Sequence, residues 1–284
     1  MDIFGRLQGA MEAVEKESGH KGYWYRMRDI LTIMICGLLC SLQTIDDIHE
    51  WAKAKPTREL LAEKFGIERI PCRAQMYNIL GCVNPEKFGQ VFMQWVRDVL
   101  CESLQGKTVA IDGKTIRSTG KRTKDGSVLH IASAIISERG LVIGSLECST
   151  KTGEMMAFRE LVGMLDLKGT IVVADALHCH KKSAAAIIAA EADYLFVVKK
   201  NQKTLREEIA LYFQEESAAQ YTATERNGGR NEWRTAYVSQ DVEWLYGLEK
   251  WENLTTIGAI HTEVEKDGQW SREWHYYISS APLS

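Results

Sequence analysis

Two aspartates in this chain each follow a short run of β-branched and apolar residues. Asp112 follows the run 108–111, and Asp175 follows the run 170–174, 63 positions later (175 − 112). Such runs lack a helical period and predict buried strands, and Gly113 predicts a sharp turn after the first one. Because a carboxylate at the mouth of a buried strand is costly unless something binds it, the pair indicates a binding site for a divalent metal ion.

Basic residues follow both aspartates, which suggests that the metal site faces a phosphate chain. They are Lys114, Arg117, Lys121, Arg122 and Lys124 after the first aspartate, and Lys181 and Lys182 after the second. Residues 101–206 carry 16 Lys and Arg against 11 Asp and Glu, a net +5, although the whole chain carries −3. A local basic field is what phosphate binding requires. A solvated surface would give the same count, and that alternative stays open.

Composition favours a cytoplasmic protein. The seven cysteines are scattered and contain no Cys-x-x-Cys pair, so neither a zinc ribbon nor a disulfide framework is indicated. The first residues are acidic and amphipathic, unlike a signal peptide. The apolar run 30–42 is shorter than the roughly 20 residues that a membrane span needs. We therefore interpret this run as a buried core helix and expect no membrane association.

The order of predicted elements divides the chain at about residue 104. Residues 1–104 predict an all-helical module, with helices over 1–18, 29–42, 44–54, 57–65, 73–80 and 85–104. The helix–loop–helix over 57–80 could read DNA, but helical bundles without that role are commoner. Residues 105–284 predict an α/β domain. Its elements are strands at 108–112, 128–137 and 141–148, a helix at 154–165, a strand at 170–175, a helix at 182–192 and a strand at 193–198.

This β-β-β-α-β-α-β order is ribonuclease H-like. Parallel pairing of its first and fourth strands would place the two aspartates side by side. A helix over 204–216 and a β-rich, aromatic and acidic C-terminal insertion follow. Its tryptophans could stack on bases, but at strand spacing we expect them to form the core of the insertion.

Paired carboxylates in this setting suit phosphodiester chemistry. Two metal ions, one activating the attacking oxygen and one stabilising the leaving oxygen, are held by bridging and flanking acids. Mg²⁺ prefers such oxygen ligands and keeps several waters. For one aspartate at a strand end, a turn cap is the commoner role. For two, on neighbouring strands and both followed by basic residues, we favour metal binding.

Motifs in a fixed order resemble those of insertion-sequence transposases with a DDE domain, in the group of H-repeat-associated proteins. Residues 110–117 resemble the first-aspartate motif, 129–134 the second strand, and 173–178 the second-aspartate motif. Lys151-x-x-Glu154 keeps part of a Lys-Ser-Asn-Glu segment. Residues 193–202 and 229–234 resemble two later blocks, and the helical module resembles the domain associated with this family.

The resemblance implies a Mg²⁺-dependent (or Mn²⁺-dependent) transposase that cuts the ends of its element and joins them to target DNA. Asp112 and Asp175 would then be catalytic metal ligands. Lys114, Arg117, Lys199 and Gln202 would contact DNA, or else be solvated or capping side chains. The implied partners are the terminal inverted repeats and target DNA, with a homo-oligomer assembled on DNA.

The third acid of the resemblance has no counterpart here. The family carries it in a segment like His-Trp-x-Ile-Glu-Asn beyond the β-rich insertion, and no such segment occurs before residue 284. Glu232 belongs to a different block, and Glu207 and Glu208 look like exposed charges on a helix. We therefore expect a C-terminally truncated transposase that lacks its third carboxylate.

Two other readings stay open beside an active transposase. The chain could be a catalytically inactive or repurposed DNA-binding remnant, or an unrelated metal-dependent nuclease of the same fold. Residues 178–180 (His-Cys-His) could bind a soft metal, but three adjacent side chains cannot all point inward.

Overall fold

The computed structural model describes residues 3–18, 24–100, 104–116, 128–148, 151–215, 219–227, 230–266 and 268–282. It divides into two compact units, residues 1–102 and 103–284. Within the described ranges no helix is both long and apolar enough to cross a membrane.

The described part of the first unit is built from helices. They are α1 (Ile3–Ser18), α2 (Met27–Leu39), α3 (Ile45–Lys53), α4 (Lys55–Phe65), α5 (Arg73–Leu80) and α6 (Pro85–Leu100). Local signals set their ends: the Asp47 N–H donates to Thr44 Oγ1 at 3.1 Å before α3, and Gly66 adopts φ 66° after α4. The apolar run predicted to be buried is α2, and Ile30 and Ile33 are in the core of this unit.

The second unit follows the predicted order of strands and helices. It contains β1 (Thr108–Ile116), β2 (Leu129–Ile136), β3 (Leu141–Cys148), α7 (Lys151–Met164), β4 (Ile171–Ala174), α8 (Lys181–Ala189), β5 (Asp193–Val198) and α9 (Lys203–Glu215). After α9 come β6 (Ala219–Asn227), β7 (Arg230–Ser239), β8 (Thr256–Lys266) and β9 (Gln269–Ser279).

The described strands form one mixed sheet in the order β3-β2-β1-β4-β5-β9-β8-β7-β6. The meander β1-β2-β3 is antiparallel, whereas β1, β4 and β5 run parallel. Alternate residues are buried, such as Val109 and Ile111 in β1 and Val172 in β4. Helix α7 packs on β2 and β3, α8 on β5, and α9 on β8 and β9.

The C-terminal strands extend this sheet rather than forming a core of their own. β9 pairs antiparallel with β5, through Leu195↔Ser279 to Val198↔Tyr276. The expectation that the tryptophans form the core of this region is therefore only partly met. Trp251 is buried, with 6% of its surface exposed. Trp270 is 57% exposed and stacks on Trp233 at a centroid distance of 5.2 Å. Hydrogen bonding to an existing edge strand satisfies the backbone without a second core.

Candidate metal and DNA site

The register of β1 and β4 brings the two aspartates together. The parallel pairing runs from Thr108↔Ile171 to Ile111↔Ala174, so Asp112 and Asp175 are the next residues on neighbouring strands. Paired strands lie about 4.8 Å apart, and both side chains are exposed. Two carboxylates on adjacent backbones can therefore reach one ligand at the carboxyl edge of the parallel strands.

Asp112 does not end its strand, contrary to the sequence-based expectation. β1 continues to Ile116 because its antiparallel pairing with β2 continues from Asp112↔Ser133 to Ile116↔Leu129. Only the parallel pairing with β4 stops, after Ile111. Asp112 lies where the two strands separate, and Gly113 continues the strand instead of turning the chain.

The carboxylate of Asp175 has a structural contact of its own. Its Oδ1 accepts a hydrogen bond from the Leu177 N–H and caps the short 3-10 helix Ala176–His178. This is the turn-capping role that competes with metal binding. A carboxylate has a second oxygen with its own lone pairs, so the cap and a metal ligand are compatible.

Side chains that follow β5 hold the loop after Asp175. Asn201 donates from Nδ2 to the Ala176 carbonyl at 2.6 Å, and Gln202 donates from Nε2 to the Cys179 carbonyl at 2.9 Å. Gln202, expected as a DNA contact or a capping side chain, thus has a backbone partner in this structure. Its amide fixes the loop that carries Asp175.

Glu154 packs against the strand that carries Asp112, a contact that the sequence reasoning missed. It lies in the first turn of α7, and its carboxylate occupies the space above Gly113: a Cβ built on Gly113 would lie 2.1 Å from Glu154 Oε1. Gly113 directly follows Asp112 in β1, and successive residues of a strand face opposite sides of the sheet, so Glu154 packs on the face opposite the Asp112 side chain. The signal was the partial Lys151-x-x-Glu154 match, in which the glutamate persists although the middle residues differ.

His178 lies beside Glu154. It is 2% exposed, stacks on Phe158 at a centroid distance of 4.3 Å, and its Nε2 is 3.6 Å from Glu154 Oε1, which is beyond hydrogen-bond distance. Burial lowers the pKa of His178, although the charges of Asp175 and Asp112 act to raise it. The imidazole therefore favours the neutral form.

The exposed basic side chains lie at the same edge of the sheet. Lys114 is two residues after Asp112 in β1, so both side chains leave the same face of the strand. Lys199 follows β5 directly and is exposed. The third predicted cation, Arg117, lies outside the described residues, as do Lys121, Arg122 and Lys124.

The other candidate acids lie elsewhere. Glu232 is in β7, five strand positions from β1; at about 4.8 Å per position, this is roughly 24 Å across the sheet. It is buried and pairs with Arg234. On α9, Glu207 is exposed and pairs with Lys203, and Glu208 is half-buried. Neither Glu232 nor the α9 acids contribute an observed contact to Asp112 or Asp175.

The donor chemistry fits a hard divalent cation rather than a soft one. Asp112 and Asp175 offer exposed carboxylate oxygens, which suit Mg²⁺ or Mn²⁺. Burial raises the pKa of the Cys179 thiol to about 12, so residues 178–180 do not supply a thiolate. Across the described residues, no three His, Cys, Asp or Glu side chains are already grouped around one point as a fully protein-bound ion would need.

Two family models match the chain. One, described as DDE_Tnp_1-associated, covers residues 10–96, and the other, described as Transposase DDE domain, covers residues 104–257. The H repeat-associated putative transposase YhhI of Escherichia coli K12 is 30% identical over 98% of this chain and 76% of its own length. The H repeat-associated putative transposase YbfD of the same organism is 30% identical over 82% of this chain and 94% of its own length.

Among solved structures, a cryo-EM structure of the piggyBac transposase synaptic complex with hairpin DNA covers 100% of this chain and 59% of its own, with 9% identity and a TM-score of 0.43. The two family models and the relatives support one conclusion. This chain belongs to the DDE transposase family, in the group of H-repeat-associated transposases.

Proposed function

We propose that this chain is an insertion-sequence transposase that uses Asp112 and Asp175 to hold Mg²⁺ or Mn²⁺ and cut DNA at the ends of its element. The observation that carries the proposal is the register of β1 and β4, which makes the two aspartates neighbours. We assign residues 105–284 to a ribonuclease H-like catalytic domain and residues 1–104 to the helical associated domain.

The acidic and the basic residues of the site have different roles. A divalent ion, when bound, activates the attacking oxygen and stabilises the leaving oxygen of a phosphodiester. Asp112 and Asp175 bind the divalent ion at the edge of the sheet. Lys114 and Lys199 neutralise phosphates on either side, and Gln202 keeps the loop of Asp175 in position. The DNA partners are the terminal inverted repeats and the target, bound by a homo-oligomer.

A second function is a DNA-binding transposase remnant that recognises element ends without cutting them. One observation favours it: the described residues contain no ready-made cluster of three metal-binding side chains.

Cleavage of labelled duplexes separates these functions. The full chain is incubated with DNA carrying the terminal inverted repeats of its element, or a scrambled duplex, in Mg²⁺, Mn²⁺, Ca²⁺ or EDTA. We expect cutting of the repeat ends in Mg²⁺ or Mn²⁺ only, lost in Asp112→Asn and Asp175→Asn. The exposed Asp166, changed to Asn, is the matched control. Specific binding without cutting would support the remnant, and cutting that survives both substitutions would overturn the metal site.

A further inference from the structure

One edge of the sheet in the second unit is open to another strand. Among the described strands, β6 ends the sheet on one side, and its pairing with β7 runs from Ala219↔Val238 to Asn227↔Arg230 without a register shift. Residues 221–225 are all exposed, although they alternate between the two faces of the sheet. The outer edge of β6 therefore presents a regular row of backbone N–H and C=O groups.

The opposite edge of the sheet is protected. β3 pairs with β2 through a register shift between Ala134 and Ile135, and α7 packs on β3. Bulges and covering helices, together with Lys or Pro on the edge, are devices that prevent an edge strand from pairing with another chain. Residues 219–227 include neither Lys nor Pro, and their pairing with β7 is regular. The β6 edge is therefore able to accept a further strand.

The charge of this part of the chain favours a protein partner over DNA. Residues 207–284 carry 6 Lys and Arg against 14 Asp and Glu, a net −8 (6 − 14). Such a field repels phosphates, whereas a strand that adds to a sheet edge binds mainly through its backbone. The partner of this edge should therefore be an extended protein strand.

The β6 strand of a second copy matches this edge. Antiparallel pairing about a twofold axis at Ala223 places Thr222 of one copy opposite Thr224 of the other, and Tyr221 opposite Glu225. Threonine pairs make favourable cross-strand contacts, and this register places no like charges opposite each other among the exposed residues 221–225. At the axis itself, the small side chain of Ala223 meets its own copy.

We propose that two copies of this chain associate through antiparallel pairing of their β6 strands, centred on Ala223, so that their two sheets become continuous. The inference rests on one element of the proposed function, the homo-oligomer, and names its interface. It does not depend on the metal site. β6 lies five strand positions from β4, which is roughly 24 Å at about 4.8 Å per position.

Disulfide cross-linking tests the register. Directly opposite residues of antiparallel strands have Cα atoms about 4.5–5.5 Å apart, within the range of a disulfide. Ala223→Cys should therefore form a covalent dimer under mild oxidation. Glu225→Cys is the matched control on the same strand and face. In the proposed register it lies about four residues from its own copy, or about 14 Å along the strand, which is too far for a disulfide.

The unaltered chain, oxidised in parallel, measures the background from its native cysteines. Three of them are exposed: Cys40, Cys72 and Cys82. The covalent dimer of Ala223→Cys should form faster than this background, and Glu225→Cys should not exceed it.

Sedimentation of the full chain without DNA tests the association itself. We expect a monomer–dimer equilibrium. Ala223→Lys places two lysines opposite each other at the axis and should weaken the dimer about threefold. Tyr221→Lys, on the same strand and face, places a lysine opposite Glu225 and should leave the dimer as stable or make it more stable. Circular dichroism and thermal melting verify that each variant is folded.

Three results would overturn the inference. They are a wild-type chain that stays monomeric at every concentration, equal cross-linking of Ala223→Cys and Glu225→Cys, and equal weakening of the dimer by Ala223→Lys and Tyr221→Lys. In the first case the β6 edge is left to another occupant.

Mn²⁺ binding, measured on the same samples, separates this inference from the rest of the proposed function. Ala223→Lys should bind Mn²⁺ like the wild type while its dimer is weakened. A wild-type chain that forms this dimer without binding Mn²⁺ would refute the metal site and leave the interface standing. A chain that binds Mn²⁺ through Asp112 but remains monomeric would refute the interface and leave the metal site standing.

Discussion

Ser280 joins the end of β9 to the start of β5, and its removal should destabilise the second unit without affecting the metal site. Its Oγ accepts a hydrogen bond from the Tyr194 N–H at 2.9 Å and donates to Asp193 Oδ1 at 2.7 Å. Ser280 is 4% exposed and Tyr194 is fully buried. Ser280→Ala therefore leaves a buried N–H without this acceptor.

The expected cost follows from that unsatisfied donor. A buried N–H that loses its partner costs about 1–3 kcal/mol, so we take about 2 kcal/mol for Ser280→Ala. For a unit of roughly this size, each kcal/mol shifts the melting temperature by about 2–4 °C. The variant should therefore melt about 4–8 °C lower.

The assay pairs unfolding with metal binding. Urea and thermal unfolding of Ser280→Ala are compared with Ser271→Ala, which removes an exposed hydroxyl from the same strand and should stay within about 0.5 kcal/mol of the wild type. Asp193 pairs with Ile171, at the opposite end of β4 from Asp175. Mn²⁺ affinity should thus be unchanged. Equal stability of the two variants, or loss of Mn²⁺ binding in Ser280→Ala, would refute this reasoning.

Three further predictions concern the site and its surroundings. Lys114→Ala and Lys199→Ala should each weaken DNA binding at all sequences and reduce the slope of log affinity against log salt concentration by about one. Titrations with DNA at several salt concentrations measure this slope. An unchanged slope would exclude a phosphate contact by that lysine. Gln202→Ala removes a hydrogen bond to the loop of Asp175 and should cost about 1 kcal/mol of stability while weakening Mn²⁺ binding; unaltered Mn²⁺ affinity would mean that the loop positions itself. Burial raises the pKa of Cys179 to about 12, so its thiol should stay unalkylated by iodoacetamide in the native protein at pH 8, whereas the exposed Cys72 should react. Mass spectrometry of the labelled peptides measures the two extents of alkylation. Equal labelling of the two cysteines would contradict the burial of Cys179.

The local elements of the second unit were predictable because their signals are local. The runs 108–111 and 170–174 are short and rich in β-branched residues, which favours strands over helices. Their order along the chain favours parallel pairing of β1 with β4. The position of Asp112 beside Asp175 therefore follows from sequence. The capping of α3 by Thr44 and the end of α4 at Gly66 follow from adjacent residues in the same way.

Features that depend on distant packing were not predictable. β1 runs past Asp112 because β2 pairs with it, and no residue within β1 signals this. Glu154 reaches Gly113 only after α7 packs on the meander, 41 positions away (154 − 113). The C-terminal strands join the main sheet through β9 and β5, whose pairing spans a long separation in sequence. Such contacts are determined by tertiary packing rather than by local propensity.

Iron-directed cleavage of the protein tests most directly whether Asp112 and Asp175 hold one divalent ion. Fe²⁺ replaces the bound ion, and ascorbate with peroxide generates hydroxyl radicals that cut the backbone near it. Mass spectrometry of the fragments should place cuts next to residues 112 and 175, suppressed by excess Mg²⁺ and absent in Asp112→Asn. Cuts elsewhere in the chain, or cuts that persist in that variant, would contradict the account.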